Sequence, residues 1–132
     1  MMMTLIAQWN AQMDDARAET EFSVIRPADM RVFGQLRGRT VKLSAIHREM
    51  GFSRQAAQQA VDRLVTHNML DLRDDPDSKR DKIVCITQKG QRWRTIAARQ
   101  IRLIEAEIAE ALGEDAKETL RKALIDLLRA AP

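Results

Sequence analysis

The sequence contains one cysteine, no tyrosine, five glycines and three prolines among its 132 residues. Because a single thiol can neither close an intramolecular disulfide nor supply a multi-cysteine metal site, both are excluded. No apolar run approaches the roughly 18 residues that a transmembrane helix requires. The opening MMMTLIAQWN lacks the basic and apolar segments of a signal peptide. These absences together predict a soluble cytoplasmic protein.

The sequence also shows no set of residues that is typical of a catalytic site. The two histidines, His47 and His67, are far apart in sequence, and Cys85 alternates with Val84 and Ile86 in a predicted strand. This set indicates neither a nucleophile–base pair nor a zinc site, and there is no glycine-rich phosphate loop. We therefore expect no enzyme activity, no cofactor and no metal.

The sequence is rich in helix-forming residues and in charged residues. Hydrophobic residues make up 45% and charged residues 31% of the chain, which is ordinary for a globular protein. The length fits one domain spanning residues 1–132. The net charge of +3 is by itself weak evidence for a polyanionic partner, so the position of the charges matters more.

Hydrophobic spacing predicts the element order α–α–(β)–α–α–β–β–α–α. Ser44 and Ser53 are expected to cap two short helices, which are separated by little more than Gly51 and precede a charged hairpin. That arrangement is typical of a winged helix-turn-helix. The fold class is therefore mainly α with a small β-hairpin wing. The other helices are predicted at about 4–18, at 27–37, from a cap at Thr87 to Gly113, and from there to the C-terminus.

The two short helices also have predicted ends and faces. In the first, Met50 is expected to face inward and Gly51 to end the helix. The second is expected to be followed by Asn68 in a left-handed conformation. Its predicted apolar face consists of Ala57, Ala60, Val61 and Leu64.

The segment LSAIHREMGFSRQAAQQAVDRLVTHNMLDLRDDPDSKRDKIVCITQKG, residues 43–90, resembles the DNA-binding core of MarR-family transcription regulators. Its most specific part is RDDPDSKRDKIVCIT, which has the family's wing pattern of Asp-Pro, a polar insert, paired bases and an apolar strand. A Thr-x-x-Gly sequence follows, as in the family. The resemblance implies a DNA-binding core at residues 27–90 and dimerisation helices at 1–20 and 88–130.

The resemblance also implies a function. Family members of this kind are homodimeric repressors that bind pseudo-palindromic double-stranded DNA, and many are released by a small, often aromatic, effector. For this chain the effector and the operator stay unknown. The alternative is a winged-helix dimer that acts as a protein–protein interaction module without specific DNA binding.

Side chains suited to reading DNA are concentrated in the second short helix and the wing. Glutamine can pair with adenine and arginine with guanine, although a solvated helix face is the alternative interpretation. The resemblance assigns the wing contact to Arg80. Ser78 stands where the family often has an acid. Either Asp75 or Asp77 is therefore expected to hold the Arg80 guanidinium in place, or the wing is more mobile than usual. The predicted DNA-binding residues are Ser53, Arg54, Gln55, Gln58, Gln59, Arg63, Lys79, Arg80 and Lys82.

The terminal helices carry more apolar surface than one small winged domain can cover. Exposed apolar faces of this size mark interfaces, and a two-fold dimer is the natural way to bury them. The predicted dimerisation residues are Leu5, Ile6, Trp9, Met13, Ile104, Ile108, Leu112, Leu120, Leu124, Leu127 and Leu128.

Four residues keep two interpretations each. His47, where the family commonly has a small alanine, either reaches a phosphate or is a tolerated, partly exposed histidine, and the second is favoured. Trp9 and Trp93 either pack or line an effector pocket. Cys85 is favoured as a strand residue over a redox sensor, because the sensors of the family usually lie near the N-terminal helix.

Overall fold

The structure, a computed structural model, describes residues 1–49 and 53–131 and confirms the predicted order of elements. Met50 and Gly51, predicted to face inward and to end the third helix, lie outside the described residues. The helices are α1 (Met2–Ala18), α2 (Pro27–Gln35), α3 (Leu43–Glu49), α4 (Arg54–Thr66), α5 (Gln88–Leu112) and α6 (Glu114–Ala130), with a 3-10 turn at Glu21–Val24. The strands are β1 (Val41–Lys42), β2 (Leu70–Asp75) and β3 (Ser78–Ile86).

Local capping chemistry sets several helix boundaries. The Ser53 hydroxyl accepts a hydrogen bond from the Ala56 amide at 3.1 Å, as predicted for the start of α4. Asn68, predicted as a left-handed residue after α4, has a φ of 60°. The prediction for Ser44 is wrong, since α3 begins at Leu43 and Ser44 lies inside its first turn.

The predicted hairpin is part of a larger sheet. The three strands have the order β1-β3-β2, with β3 antiparallel to both neighbours. Val84, on the central strand β3, lies opposite Val41 and Leu72 and is fully buried. The pairing of β2 with β3 is irregular between Asp74 and Asp75. The wing is therefore anchored by its base.

One apolar core joins the winged helix-turn-helix to the first half of α5. The apolar face predicted for α4 is buried, as its Val61 and Leu64 have no exposed surface. Phe22 from the 3-10 turn packs on Trp93 of α5 with ring centroids 5.5 Å apart. The buried cluster also includes Ile25, Met30, Val32, Phe33, Leu36, Ile46, Ala57, Ala60, Met69, Leu70 and Val84.

The start of α5 is fastened to the end of α4. The Thr87 hydroxyl accepts from the Gly90 amide and donates towards the carbonyls of Asn68 at 2.6 Å and Met69 at 3.1 Å. Lys89 Nζ donates to the His67 carbonyl at 2.9 Å. A Cβ at Gly90 would lie 2.6 Å from the Met69 carbonyl oxygen, so only glycine permits this close approach.

The terminal helices are packed far less completely. In α6, all of which the structure describes, no residue is buried. Gly113, with a φ of 86°, turns the chain back after α5, as predicted. Of the predicted dimerisation residues, Ile104 is buried within the protomer and Met13 packs against the core. The exposed members are Leu5, Ile6, Leu112, Leu120, Leu124, Leu127 and Leu128. No helix within residues 1–49 and 53–131 is long and apolar enough to cross a membrane.

Candidate nucleic-acid interface

The N-terminal half of α4 presents a polar surface beside the wing. Ser53, Arg54, Gln55 and Gln59 are exposed, and Gln58 is half-buried. The opposite side of the same helix carries the buried alanines and leucine of the core. The sequence-predicted residues of this helix therefore share one accessible face, with the exception of Arg63.

Arg63 is turned towards α2. Its Nε and Nη2 each donate to a carboxylate oxygen of Asp29 at 2.9 Å, in a bidentate pair. The Asp29 side chain is only 2% exposed, whereas 39% of the Arg63 side chain reaches solvent. The hydrogen bonds that Arg63 donates to Asp29 raise the pKa of Arg63 above its already high ordinary value. The sequence predicted a DNA contact for Arg63, but the structure directs its guanidinium to this ion pair.

A second polar network joins α3 to α4. His47 Nε2 lies 3.2 Å from Gln58 Oε1, and Gln58 Nε2 donates to Asp62 Oδ1 at 2.9 Å. His47 is half-buried, which is consistent with the partly exposed histidine favoured from the sequence, and its Nε2 is engaged by Gln58. Its partner lies 11 positions away, beyond the reach of any helical spacing.

The wing tip holds two exposed cations, Lys79 and Arg80. Ser78 Oγ accepts from the backbone amides of Arg80 at 3.3 Å and Asp81 at 3.2 Å, so this serine braces the main chain at the turn. Within residues 1–49 and 53–131, no carboxylate forms an ion pair with Arg80. The expectation that a neighbouring aspartate holds its guanidinium is therefore wrong.

The aspartates of the wing have other partners. Asp75 lies 3.3 Å from Lys42 Nζ on β1 and accepts from the Asp77 amide at 2.9 Å. Lys82, predicted to contact DNA, forms a close ion pair with Asp74, which lowers the pKa of that carboxyl. These contacts shape the hairpin and leave Lys79 and Arg80 as its projecting cations.

Asp81 ties the wing to α3. Its Oδ2 accepts from the Ser44 hydroxyl at 2.6 Å, and its Oδ1 accepts from the Ser44 amide at 3.3 Å. The hydrogen bond from Ser44 lowers the pKa of Asp81, so the carboxylate stays charged at neutral pH. The wing and α3 are therefore held at a fixed separation.

A cleft of about 600 Å³ separates α3, the start of α4 and the wing. It is lined by His47, Arg54 and Arg80, together with Leu43, Ser44, Ser78 and Asp81. Hydroxyl and cationic groups from three elements thus face one open cleft. Such a lining is suited to the phosphates and sugars of a nucleic-acid backbone.

A smaller cavity of about 210 Å³ lies between α1, α2 and α5. Trp93 and Met30 line it, whereas Trp9 does not. Arg17, a buried residue that the sequence did not single out, also lines it and donates to the carbonyls of Ser23 at 3.1 Å and Ile25 at 2.6 Å. The sequence carries no local signal for this role, because both acceptors are main-chain atoms beyond the helix end.

Cys85 is a half-buried residue of β3 opposite Asp71, in the strand position predicted for it. Among the described residues, no group of three or more His, Cys, Asp and Glu side chains could hold a metal ion.

The sequence model of the MarR family matches residues 25–81 of this chain. That region runs from the residues just before α2 to the wing, and so covers the surface described above. No curated protein matches the sequence.

Solved structures with the same fold cover nearly the whole chain. RV1404 from Mycobacterium tuberculosis is 21% identical, with 98% of this chain and 89% of that chain covered and a TM-score of 0.74. FabT from Streptococcus pneumoniae, solved in complex with DNA, is 13% identical, with 97% and 90% covered and a TM-score of 0.81. Wild-type MarR from E. coli in its apo form is 17% identical, with 96% and 93% covered and a TM-score of 0.69. The predicted fold class is confirmed by these likenesses.

Proposed function

The winged-helix core of this chain belongs to the MarR family, and on that premise we propose that the protein is a sequence-specific DNA-binding transcription regulator, acting as a dimeric repressor. The observation that carries the proposal is the shared face of α4 and the wing. Exposed glutamines and arginine at the start of α4 lie beside a cationic cleft and a projecting Arg80. FabT, which has the same fold, was solved in complex with DNA.

Each part of this face has a proposed role. Gln55, Gln58 and Gln59 read base edges in the major groove, where an amide can pair bidentately with adenine. Ser53 and Arg54, at the start of α4, contact a base or the neighbouring phosphate backbone. Lys79 and Arg80 reach the flanking minor groove from the wing tip. Lys82 has a weaker role because Asp74 already neutralises it.

Two copies of the chain are proposed to form the functional unit. The exposed leucines of α6 and the apolar residues near the start of α1 form faces that a second copy would bury. Dimerisation through residues 1–20 and 88–130 would place the two α4 helices about 34–36 Å apart, in successive major grooves of a pseudo-palindromic site. Residues 27–90 would supply the DNA-binding core of each protomer.

The proposal also covers regulation by an effector and the cellular location of the protein. As the family resemblance implies, a small effector would release DNA from the dimer, and the cavity beside Trp93 is the place we propose for it. The protein would act in the cytoplasm by binding alone, with no reaction of its own.

Site selection from a randomised duplex pool tests this function. We expect the protein to enrich a two-fold symmetric sequence and to bind it at least about 1,000-fold more tightly than random duplex at physiological salt. Binding to the selected site should weaken steeply as salt rises, because lysine and arginine displace counterions from phosphates. Failure to enrich any sequence would favour the alternative, an interaction module for another protein.

Two substitutions separate the roles of α4 and the wing. Arg80→Ala should weaken binding to most sequences and reduce the salt slope by about one, because one cation fewer displaces counterions from the DNA. Gln55→Ala should instead change sequence preference at one base pair and leave the salt slope unchanged. If Arg80→Ala altered neither affinity nor slope, the assignment of the wing would be wrong.

A further inference from the structure

The hydrogen-bond chain from α3 through Gln58 to Asp62 carries an inference that rests on the proposed function. We infer that His47 is a positioning residue: it fixes the amide orientation of Gln58 and thereby sets which base edge this glutamine selects. His47 itself contacts Gln58 rather than DNA. The specificity of the recognition helix would then depend on a residue of the preceding helix.

The chemistry of the three groups fixes the direction of the chain. An ionised carboxylate only accepts hydrogen bonds, so the Gln58 side-chain nitrogen must face Asp62. The Gln58 oxygen then faces His47, and an amide oxygen only accepts. His47 Nε2 must therefore carry the hydrogen, either in the neutral Nε2–H tautomer or in the charged imidazolium.

Both Asp62 and His47 disfavour a rotation of the Gln58 amide by 180°. The reversed amide would direct its oxygen at the Asp62 carboxylate, and two acceptors repel each other. It would also direct its NH₂ group at the Nε2–H of His47, which leaves two donors facing one another. Because His47 and Asp62 favour the same orientation, the Gln58 amide is already oriented before DNA binds.

The hydrogen-bonding groups of Gln58 that remain free are those that can pair with adenine. His47 uses one lone pair of Oε1 and Asp62 uses one hydrogen of Nε2, which leaves one acceptor and one donor free. An amide with one free donor and one free acceptor matches adenine N7 and N6 in the major groove. The polarity of this pair along the helix is what His47 would determine.

The structure favours this role over a phosphate contact for one ring nitrogen. Nε2 of His47 lies 3.2 Å from Gln58 Oε1 and is therefore already engaged within the protein. The cations available for phosphates, Arg54 and Arg80, line the same cleft. His47 thus occupies the boundary between the base-reading helix and the backbone-binding cleft.

Competition titrations with single-base-pair variants of the selected site test the inference. A good bidentate contact discriminates against the wrong base by roughly 10- to 100-fold. We expect His47→Ala to reduce discrimination at one base pair in each half-site by about five- to tenfold, since Asp62 alone then holds the amide and its orientation is less tightly fixed. The salt slope should stay that of the wild type, because no phosphate contact is lost.

Matched variants separate hydrogen bonding from packing. His47→Gln keeps an N–H donor near the Nε2 position and should retain most of the discrimination, whereas the apolar His47→Leu should lose it. Asp62→Asn, whose amide can donate as well as accept, should relax the same base pair. His67→Ala, at the far end of α4, is the control and should leave preference unchanged. Thermal unfolding of each variant verifies that the fold is intact.

A double-mutant cycle identifies the residue through which His47 acts. Gln58→Ala should relax the same base pair, and His47→Ala should then cause no further change in the Gln58→Ala background. Independent, additive effects would mean that His47 acts on DNA by another route and would overturn the inference.

The outcomes also separate this inference from the proposed function. If the wild type preferred no sequence, the proposed function would fail and the inference with it. If the wild type were selective and Gln58→Ala relaxed one base pair while His47→Ala did not, only the inference would fail. A uniform loss of affinity with a shallower salt slope in His47→Ala would identify a phosphate contact and would equally overturn it.

Discussion

Leu64 on α4 and Leu124 on α6 are both leucines on the apolar face of an amphipathic helix, yet Leu64 is fully buried and Leu124 is 43% exposed. The winged-helix core completes its packing within one chain, using helices, sheet and the first half of α5. The α6 helix turns back along α5 but leaves most of its leucines open. The core can therefore be stable in a protomer, while α6 depends on a surface that a second copy would supply.

The largest expected effect is in the core. Leu64→Ala should lower the free energy of unfolding by about 3 kcal/mol, because a fully buried leucine leaves a cavity that the packed core cannot fill. Urea denaturation measures this loss, and it should persist at every protein concentration. A loss below about 1 kcal/mol, the range of surface substitutions, would mean that this part of the core is loosely packed.

The second effect concerns the open face. Leu124→Asp should raise the dissociation constant of the dimer about 100-fold or more, because each dimer would bury two carboxylates without partners. Sedimentation at several concentrations measures the constant. Lys122→Asp adds the same carboxylate two positions earlier, on the opposite side of α6, and should leave association nearly unchanged. Equal effects of the two variants would place the interface elsewhere.

The third effect compares two arginines of the winged-helix core. Arg63→Ala should lower the free energy of unfolding by about 2 kcal/mol, since Asp29 would remain buried without its partner, and partial exposure of the pair moderates the loss. Arg80→Ala is the matched control. It removes an exposed guanidinium that pairs with no described residue, so stability should change by less than about 0.5 kcal/mol. A reversal of this order would mean that the wing arginine, not Arg63, supports the fold.

The smallest expected effect is a pH dependence of stability at the contact between the wing and α3. The pKa of Asp81 lies below its ordinary value because Ser44 hydrogen-bonds to the carboxylate. The stability that this contact contributes is therefore present at neutral pH and is lost as the pH falls through the lowered pKa, below about 4. Ser44→Ala should raise the pKa of Asp81 towards the ordinary value, as an NMR titration would show. An unchanged pKa would mean that Ser44 does not hold the wing.

Features that depend on neighbours in sequence were predictable. The caps at Ser53 and Thr87, the turn at Asn68 and the break at Gly113 follow from residues a few positions apart, and all four are confirmed. The apolar face of α4 was equally predictable, because a helix repeats every 3.6 residues and the core must cover that face.

Features that depend on distant partners were not predictable. Arg63 has the right helix and charge for a DNA contact, but Asp29, 34 positions away, binds its guanidinium. An aspartate of the wing was expected to brace Arg80, but Asp75 lies beside Lys42 and Asp81 is bound by Ser44, 37 positions away. His47 and Gln58 become partners only where α3 crosses α4. In each case the tertiary packing selects one of several acceptable partners, and a single sequence carries no record of that selection.

Because the start of α5 is fixed to the end of α4, a small tilt of this long helix is accompanied by a large displacement of its far end. Its first turn is held by Thr87, Lys89 and the close approach at Gly90, so its base cannot shift without moving the residues that follow the recognition helix. At 25 residues the helix is about 37 Å long, so a tilt of about 5° at its base moves its far end by about 3 Å. In the proposed dimer, the place where two protomers contact one another at the far end of α5 would therefore set the angle of α4. The spacing of the half-sites that the dimer accepts would then depend on the direction of α5.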